Sequence, residues 1–394
     1  MEAVLDYIMD TASSVSPQII IADDQPAILD ALRLLLKQEG YQVEAVTSPA
    51  ALVRAVESRT FDLVLMDLNY TRDTTSGREG IDLLARLQAL DHTLPIVIMT
   101  AWGSVDLAVE ALQGGSGDFV LKPWDNNRLL GILRTQLAQG KARREARSRQ
   151  AKNEMLASEI QEAREIQRGL LPGEIFQPAG YQISGAWQPA ILIGGDYFDV
   201  FQTSETQTAL CIADVSGKGL PAALLMSNLQ AAVRSSAVGA LDPRDVCAKV
   251  NSILCTHIVH EKFITCFYAL LDGPQRRLLY TNAGHNPPLL IRRDGSPIWL
   301  REGGPLMGVF PDLNYEQGEA RLAAGDRLVL FTDGVTEAIN PGDEEFGEER
   351  LVKLVVDHRD QPAQALQAKI LSAVAEFTGG DFQDDATLVV MAVE

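Results

Sequence analysis

Cysteine is scarce, at four residues in 394 (Cys211, Cys247, Cys255 and Cys266), and no two of them form a CxxC pair. Neither a disulfide framework nor a zinc site is indicated, and the thiols read as buried side chains of a protein kept in a reducing cytoplasm. No apolar run approaches the ~20 residues that a membrane-spanning helix needs. No cationic segment followed by an apolar stretch opens the chain as in a signal peptide. Positive charge is also short: 34 Lys and Arg face 53 Asp and Glu, a formal net charge of −19. That balance argues against non-specific binding to nucleic acid, which takes a basic face. It also means that clustered carboxylates repel unless cations sit among them. What is present is a globular composition, 46% hydrophobic and 22% charged, over a length that suits two or three domains.

After a lead-in of residues 1–16, residues 17–137 alternate apolar strands with helices. The apolar runs are Ile19–Ile21, Leu63–Met66, Ile96–Met99 and Phe119–Leu121. Continuous apolar strands separated by helices indicate an α/β, doubly wound parallel sheet with both faces covered. Residues 138–171 form a helical linker with a basic early part, Lys141 to Arg149. A partial heptad follows in Leu156, Ile160, Ala163 and Leu170, with Gln167 at one seam position. This pattern fits a coiled coil with a second copy, or a single solvated helix. Residues 172–394 carry many strands with helices grouped apart, which predicts an α+β domain built on a β-sandwich.

Two constellations carry chemistry. In the first, Asp23 and Asp24 follow one strand, Asp67 ends a second, Thr100 a third, and Lys122 a fourth. Converging carboxylates suit Mg²⁺, and an ammonium and a hydroxyl could neutralise a phosphoryl group on Asp67. These residues resemble the receiver domain of two-component systems. The resemblance implies that Asp67 is the phosphoacceptor, that Asp23, Asp24 and the Asn69 carbonyl serve Mg²⁺ with it, and that Thr100 and Phe119 form a switch pair. It also implies that Lys122 partners the phosphate, that Lys122–Pro123 is cis and that a cognate histidine kinase acts upstream. The loop from Asn69 to Gly77 is long and resembles that of NtrC-type receivers, as does the stretch through Trp102 and Gly103.

The second constellation is four acidic motifs: Gly194-Gly195-Asp196, Ala213-Asp214-Val215-Ser216-Gly217, Thr332-Asp333-Gly334 and Asp384-Asp385-Ala386-Thr387. Any one Asp-Gly pair alone is an ordinary turn. Together, at strand ends and with no Cys or His cluster beside them, they favour hard oxygen-bound metals, Mg²⁺ or Mn²⁺. Two such ions can activate water for phosphomonoester hydrolysis. The motifs resemble the type 2C, metal-dependent Ser/Thr phosphatases in their SpoIIE/RsbU branch, as do Thr281 to Pro288 and Pro305 to Gly308. By that resemblance Asp196 and Asp214 lie between two metals with help from the Val215 carbonyl. Asp333 and Asp384 complete the second metal's shell, Asp385 fills a variable position, and the helix over residues 153–171 reports the regulatory input. No arginine matches the phosphate-gripping one of other branches; Lys218 is a candidate by position.

Other motifs are set aside. Gly194 to Phe198 resembles a diguanylate cyclase signature but has Tyr197 where that reaction wants an acid. Ser216 to Gly219 lacks the spacing of a P-loop. His257 and His260 lack a third ligand, and His285 reads as shaping a turn. The sequence thus predicts a homodimeric response regulator whose phosphorylation controls a phosphoserine or phosphothreonine protein phosphatase. The resemblance extends to a STAS-type anti-anti-sigma substrate in a partner-switching pathway. The competing readings are a pseudophosphatase adaptor that sequesters an anti-sigma or sigma factor, and a phosphatase with a merely structural receiver.

Overall fold

The apolar runs near the start become β1 (Gln18–Ala22), β3 (Leu63–Asp67), β4 (Ile96–Ala101) and β5 (Asp118–Lys122), joined by β2 (Gln42–Val46), whose polar alternation had not marked it as a strand. The computed structural model describes residues 16–70, 78–101, 109–110, 112–258 and 262–394. Most of the lead-in, the far part of the loop after Asp67, Trp102, Gly103 and His260 lie outside the described residues. The chain divides into two compact units between Met155 and Leu156.

In the first unit the parallel strand order is β2-β1-β3-β4-β5. One face, with Ile20, Val64 and Ile98, packs on Leu52 of α2 (Pro49–Ser58) and Leu84 of α3 (Arg78–Leu90). The other, with Ile19, Ile21, Leu65 and Val97, packs on Leu32 and Leu36 of α1 (Pro26–Gln38) and on Leu129 and Leu133 of α4 (Asn126–Leu170). Burying each such side chain contributes roughly 1.5–3 kcal/mol before entropy. Because β1 and β3 are neighbours, in register at Ala22 and Met66, their carboxyl ends place Asp23 beside Asp67. This is where functional groups gather in such sheets.

α4 runs unbroken through residue 138, where composition suggested a change of character. Gly140 does not break it; a side chain there would strike Pro95, so its absence lets the helix close on the sheet. Part of the basic run is docked rather than solvated. Arg144 pairs with Asp62 at 2.9 Å and donates to the Phe61 carbonyl.

The second unit has two sheets. The first, β13-β10-β9-β8-β7 with β14 also on β10, uses β7 (Tyr197–Gln202), β8 (Gln207–Val215), β9 (Ile264–Asp272), β10 (Arg277–Ala283), β13 (Gly303–Gly304) and β14 (Gly318–Arg321). The second is antiparallel, β12-β11-β15-β16-β6, from β6 (Tyr181–Gln188), β11 (Leu289–Ile291), β12 (Pro297–Trp299), β15 (Arg327–Phe331) and β16 (Ala386–Val393). Leu210, Ile212 and Phe267 of the first sheet share a core with Leu330, Val389 and Met391 of the second, and with α5 (Leu220–Ser236) and α6 (Pro243–Cys255). The alternate residues Val329, Leu388 and Val390 face α8 (Gly347–Asp357) and α9 (Ala363–Thr378). All eight residues of β16 are buried, as an inner strand covered on both faces requires. The expected sandwich flanked by helices is present. Among the described residues no helix is long and apolar enough to cross a membrane.

Candidate functional site

At the carboxyl edge of the receiver sheet, ligand atoms of Asp23, Asp24 and Asp67 all lie within 4.8 Å of one another, and no other such acidic or metal-ligating trio occurs among the described residues. Lys122 Nζ sits 2.6 Å from Asp23 and 2.8 Å from Asp67. Burial holds the Asp67 carboxyl above its ordinary range, against the pull of Lys122. The Lys122–Pro123 bond is cis, as expected. Thr100 is buried with its hydroxyl unpartnered, and so is the side-chain oxygen of Asn69. Phe119, opposite Ile98 in the β4–β5 ladder, is half-buried against the core. Tyr70 was not singled out from the sequence; it is buried beneath the triad and donates to the Ala22 carbonyl at 3.4 Å. An acid trio with one ammonium fits Mg²⁺ and a phosphoryl group on Asp67.

In the second unit four strand ends and loops supply the predicted acids. Asp214 lies in β8 opposite Thr265. Asp196 precedes β7, and α7 (Asp333–Thr336) begins with Asp333. Asp384 and Asp385 precede β16. The buried Asp196 carboxylate accepts from Thr332 Oγ1 at 2.7 Å and Thr387 Oγ1 at 2.6 Å. Burial raises it well above the usual carboxylate range, with Asp214 and Asp385 adding to the effect. Burial, with Asp333 and Asp384 nearby, pushes Asp214 up to about 7. Asp333 rises to about 6 by burial and the charges of Asp384 and Glu337. Such a set is strained unless cations or protons relieve it, and its all-oxygen donors fit Mg²⁺ or Mn²⁺. Gly195 lies against this group; a Cβ there would stand 2.8 Å from the Val215 carbonyl oxygen.

Asp385 has a second job. Its Oδ1 accepts the Ala190 amide at 2.8 Å and its Oδ2 the Gly195 amide at 2.7 Å, so it anchors the loop that delivers Asp196. From the other side Gln167, at the end of α4, holds the Gly194 backbone. Its side chain faces its own domain rather than a coiled-coil seam. Lys218 Nζ is 3.0 Å from Asp384 and 2.5 Å from the Gln383 carbonyl. Lys262, unremarked in the sequence, donates to the Ser216 carbonyl at 2.9 Å. Asp199, within the same Gly-Gly-Asp-Tyr-Phe-Asp motif as Asp196, is elsewhere. It is buried, paired with Arg234 at 2.6 and 2.8 Å, and accepts from Tyr197 at 2.7 Å.

His285 spans the sandwich. Its Nε2 donates to the Phe331 carbonyl at 3.1 Å, so its Nδ1 accepts from Thr265 at 2.8 Å. All four cysteines are free thiols, three of them buried.

A sheet edge built to hold a phosphoryl group in one unit, and buried acids gathered at the rim of a β-sandwich in the other, describe a phospho-accepting regulator coupled to a type 2C phosphatase. Residues 19–134 match the response regulator receiver domain family, and residues 204–394 match the Stage II sporulation protein E (SpoIIE) family. The chain is 30% identical over 262 residues to the phosphoserine phosphatase RsbU of Bacillus subtilis, covering 66% of this chain and 77% of that protein. It is 28% identical over 220 residues to the phosphoserine phosphatase RsbP of the same organism, covering 55% of this chain and 53% of that protein. The solved SiaA-PP2C domain of Pseudomonas aeruginosa shares the fold, with a TM-score of 0.55 and 23% identity over 62% of this chain and 99% of that domain. The chain belongs to the SpoIIE family of protein phosphatases, and carries a response-regulator receiver domain ahead of the phosphatase.

Proposed function

We propose that the C-terminal domain hydrolyses phosphoserine or phosphothreonine in a protein substrate with two Mn²⁺ or Mg²⁺ ions, under control of phosphorylation at Asp67 by a cognate histidine kinase. The observation that carries this is Asp196: a buried carboxylate, fixed by two threonine hydroxyls, with the charges of Asp214 and Asp385 acting on it. Burying mutually repelling acids is costly, and a merely structural site gains nothing from it. Asp196 and Asp214 would lie between the two ions with the Val215 carbonyl, and Asp333 and Asp384 would hold one of them. When bound, the ions would polarise the attacking water and the phosphoryl oxygens. The threonines keep Asp196 aimed, Asp385 keeps the preceding loop in place, and Lys218 stands at the rim to meet an anionic substrate.

RsbU and RsbP are named phosphoserine phosphatases, which supports a phosphoserine substrate here. The family resemblance points further to a STAS-type anti-anti-sigma protein. Exposed Leu156 and Ile166 on α4 support pairing of that helix with a second copy, and with it a coiled-coil linker and a homodimer. The domain limits of this reading are 17–137, 138–171 and 172–394. The test is Mn²⁺-dependent release of phosphate from a phosphoserine protein, with and without a phosphoryl mimic on Asp67. Hydrolysis that persists in Asp214→Asn would rule out the assigned centre, and hydrolysis indifferent to the mimic would rule out control by the receiver.

A further inference from the structure

Most large apolar side chains of the phosphatase unit are buried, and single exposed ones are ordinary on any protein. Five exposed ones border the acid cluster. Ile191 (57% exposed) and Leu192 stand in the loop that leads to Asp196, Leu220 and Leu224 (65% exposed) on the first turns of α5, and Phe263 just ahead of β9. Each is tied to an acid-bearing segment. A Cβ on Gly195 would stand 3.2 Å from that of Ala222, so the loop of Ile191 abuts the start of α5. Leu220 follows Lys218 closely in the chain, and Lys218 Nζ is 3.0 Å from Asp384. The Phe263 carbonyl accepts from the Ser216 amide at 3.0 Å, and the Phe263 amide donates to Ser216 Oγ at 2.9 Å. Ser216 in turn belongs to the same motif as Asp214.

Leu220 and Leu224 lie four apart and share one face of α5, while Ala222, Ala223 and Met226 face the core. The exposed pair thus adds little to packing within the domain, and clustered exposed apolar groups mark surfaces that meet a partner. Charge narrows the partner. A phosphoprotein is anionic at its phosphoserine, and so are the surroundings here: Asp196, Asp214, Asp333, Asp384 and Asp385, in a chain of net charge −19. Lys218 and Lys262 are engaged, the first with Asp384 and the second with the Ser216 carbonyl. Divalent ions would meet the phosphoryl group, not the protein surface around it. Hold on that surface falls to the apolar rim, beyond the reach of a small phosphomonoester.

We infer that Ile191, Leu192, Leu220, Leu224 and Phe263 form a docking rim for the substrate, and that the substrate is a protein whose phosphoserine or phosphothreonine is bordered by exposed apolar side chains. This rests on the two-ion reading of the domain and adds the basis of its selectivity. The acids and their ions act on the phosphoryl group, and the rim acts on the residues beside it. The contribution of the rim belongs in kcat/KM for substrates with apolar flanks, not in turnover of a small phosphomonoester.

The experiment compares two phosphoserine peptides of equal length and charge, with leucines in one and glutamines in the other on both sides of the phosphoserine. The small substrate is p-nitrophenyl phosphate. The full chain is used with Mn²⁺, with Asp67 free or carrying a phosphoryl mimic, whichever state is more active. The leucine peptide should be preferred by about 10-fold in kcat/KM, the effect of burying part of one leucine. Leu220→Gln/Leu224→Gln should erase that preference while p-nitrophenyl phosphate turnover stays within a few-fold of the parent. Val238→Gln should keep it, because exposed Val238 lies past the far end of α5, about 24 Å along the helix. If the double variant does not fold, Ile191→Gln decides by the same readout. Equal kcat/KM for the two peptides in the parent, or a preference that survives in the folded variant, overturns the inference and leaves the two-ion reading intact. So does a double variant of lower sedimenting mass with its preference unchanged, which would make the rim a contact between copies. No hydrolysis of p-nitrophenyl phosphate by the parent overturns both.

Discussion

Thr332 Oγ1 donates to Asp196 Oδ2 at 2.7 Å and also accepts the Thr387 amide at 2.9 Å, while the Thr387 hydroxyl donates to that same carboxylate oxygen. The two threonines and Asp196 form one closed unit, in which the strand preceding α7 and strand β16 jointly aim a carboxylate from a third segment. Thr332→Val should remove a charge-assisted bond worth about 1.5–3 kcal/mol. It should raise the Mn²⁺ concentration for half-maximal activity by roughly 10–100-fold, with Thr332→Ser restoring most of the loss. The double variant with Thr387→Val should cost a different amount from the sum of the singles, since the residues share a network. Strict additivity in metal titrations of the four proteins would contradict this.

Removing the cations should silence the enzyme. A chelator is expected to abolish phosphate release and Mn²⁺ to restore it. Asp214→Asn and Asp333→Asn should each fall below wild type by more than the ~100-fold upper range for groups that only orient a ligand. Chelator-resistant hydrolysis by wild type would refute the two-ion centre.

His285 should make the domain sensitive to acid. Burial pushes it down to about 4 from an ordinary 6.5. Between those values the unfolded chain binds a proton that the folded chain excludes. Its contribution is therefore complete above pH 6.5 and is lost as pH falls toward 4, by about 3 kcal/mol at the lower end. Denaturant unfolding of metal-free wild type and His285→Gln at pH 7.5 and 4.5 reads this directly. The variant should lose less stability between the two values, and equal losses would show that the ring is not held neutral.

Arg234→Leu should destabilise the phosphatase domain without touching its chemistry. It strips the two Arg234 hydrogen bonds from buried Asp199 and leaves only that of Tyr197. The expected cost is about 3 kcal/mol, the low end for exposing a buried ion to a missing partner, because Arg234 is itself half-exposed. A melting temperature unchanged within error would contradict the pairing.

In the receiver, a small-molecule phosphodonor with Mg²⁺ should label the wild type and fail to label Asp67→Asn. Lys122→Ala should fold and bind Mg²⁺ but retain little phosphoryl group, because Lys122 is the ammonium 2.8 Å from Asp67. Labelling of Asp67→Asn at the wild-type level would move the acceptor elsewhere.

Much of this molecule could be read from the chain because its signals are local. Ile19–Ile21 and Leu63–Met66 are buried on both faces and so are apolar without interruption, and Asp23, Asp24 and Asp67 stand where those runs stop. The missed parts depend on distance. Thr332 and Thr387 lie inside recognised motifs, yet their role follows from meeting Asp196 across 136 and 191 positions. Gln167 sits in a stretch of Arg, Glu and Gln, where one buried glutamine has no signature. Asp199 shares a motif with Asp196 but belongs to a different network, because Asp196 lies in the loop before β7 while Asp199 lies within the strand and pairs with Arg234. β13 has two residues and β12 three, too few for a periodicity to register.

β16 is an inner strand of its sheet, flanked by β15 and β6, and the acid pair Asp384 and Asp385 leads directly into it. A ribosome makes β6 some two hundred residues before this strand. Until β16 emerges, β6 and β15 have an open slot between them, Thr387 is missing from Asp196, and the loop before Asp196 has no anchor at Asp385. A growing chain can complete its receiver, an earlier and separate unit, well before its phosphatase can act. Every newly made copy is thus able to receive a signal before it can answer one.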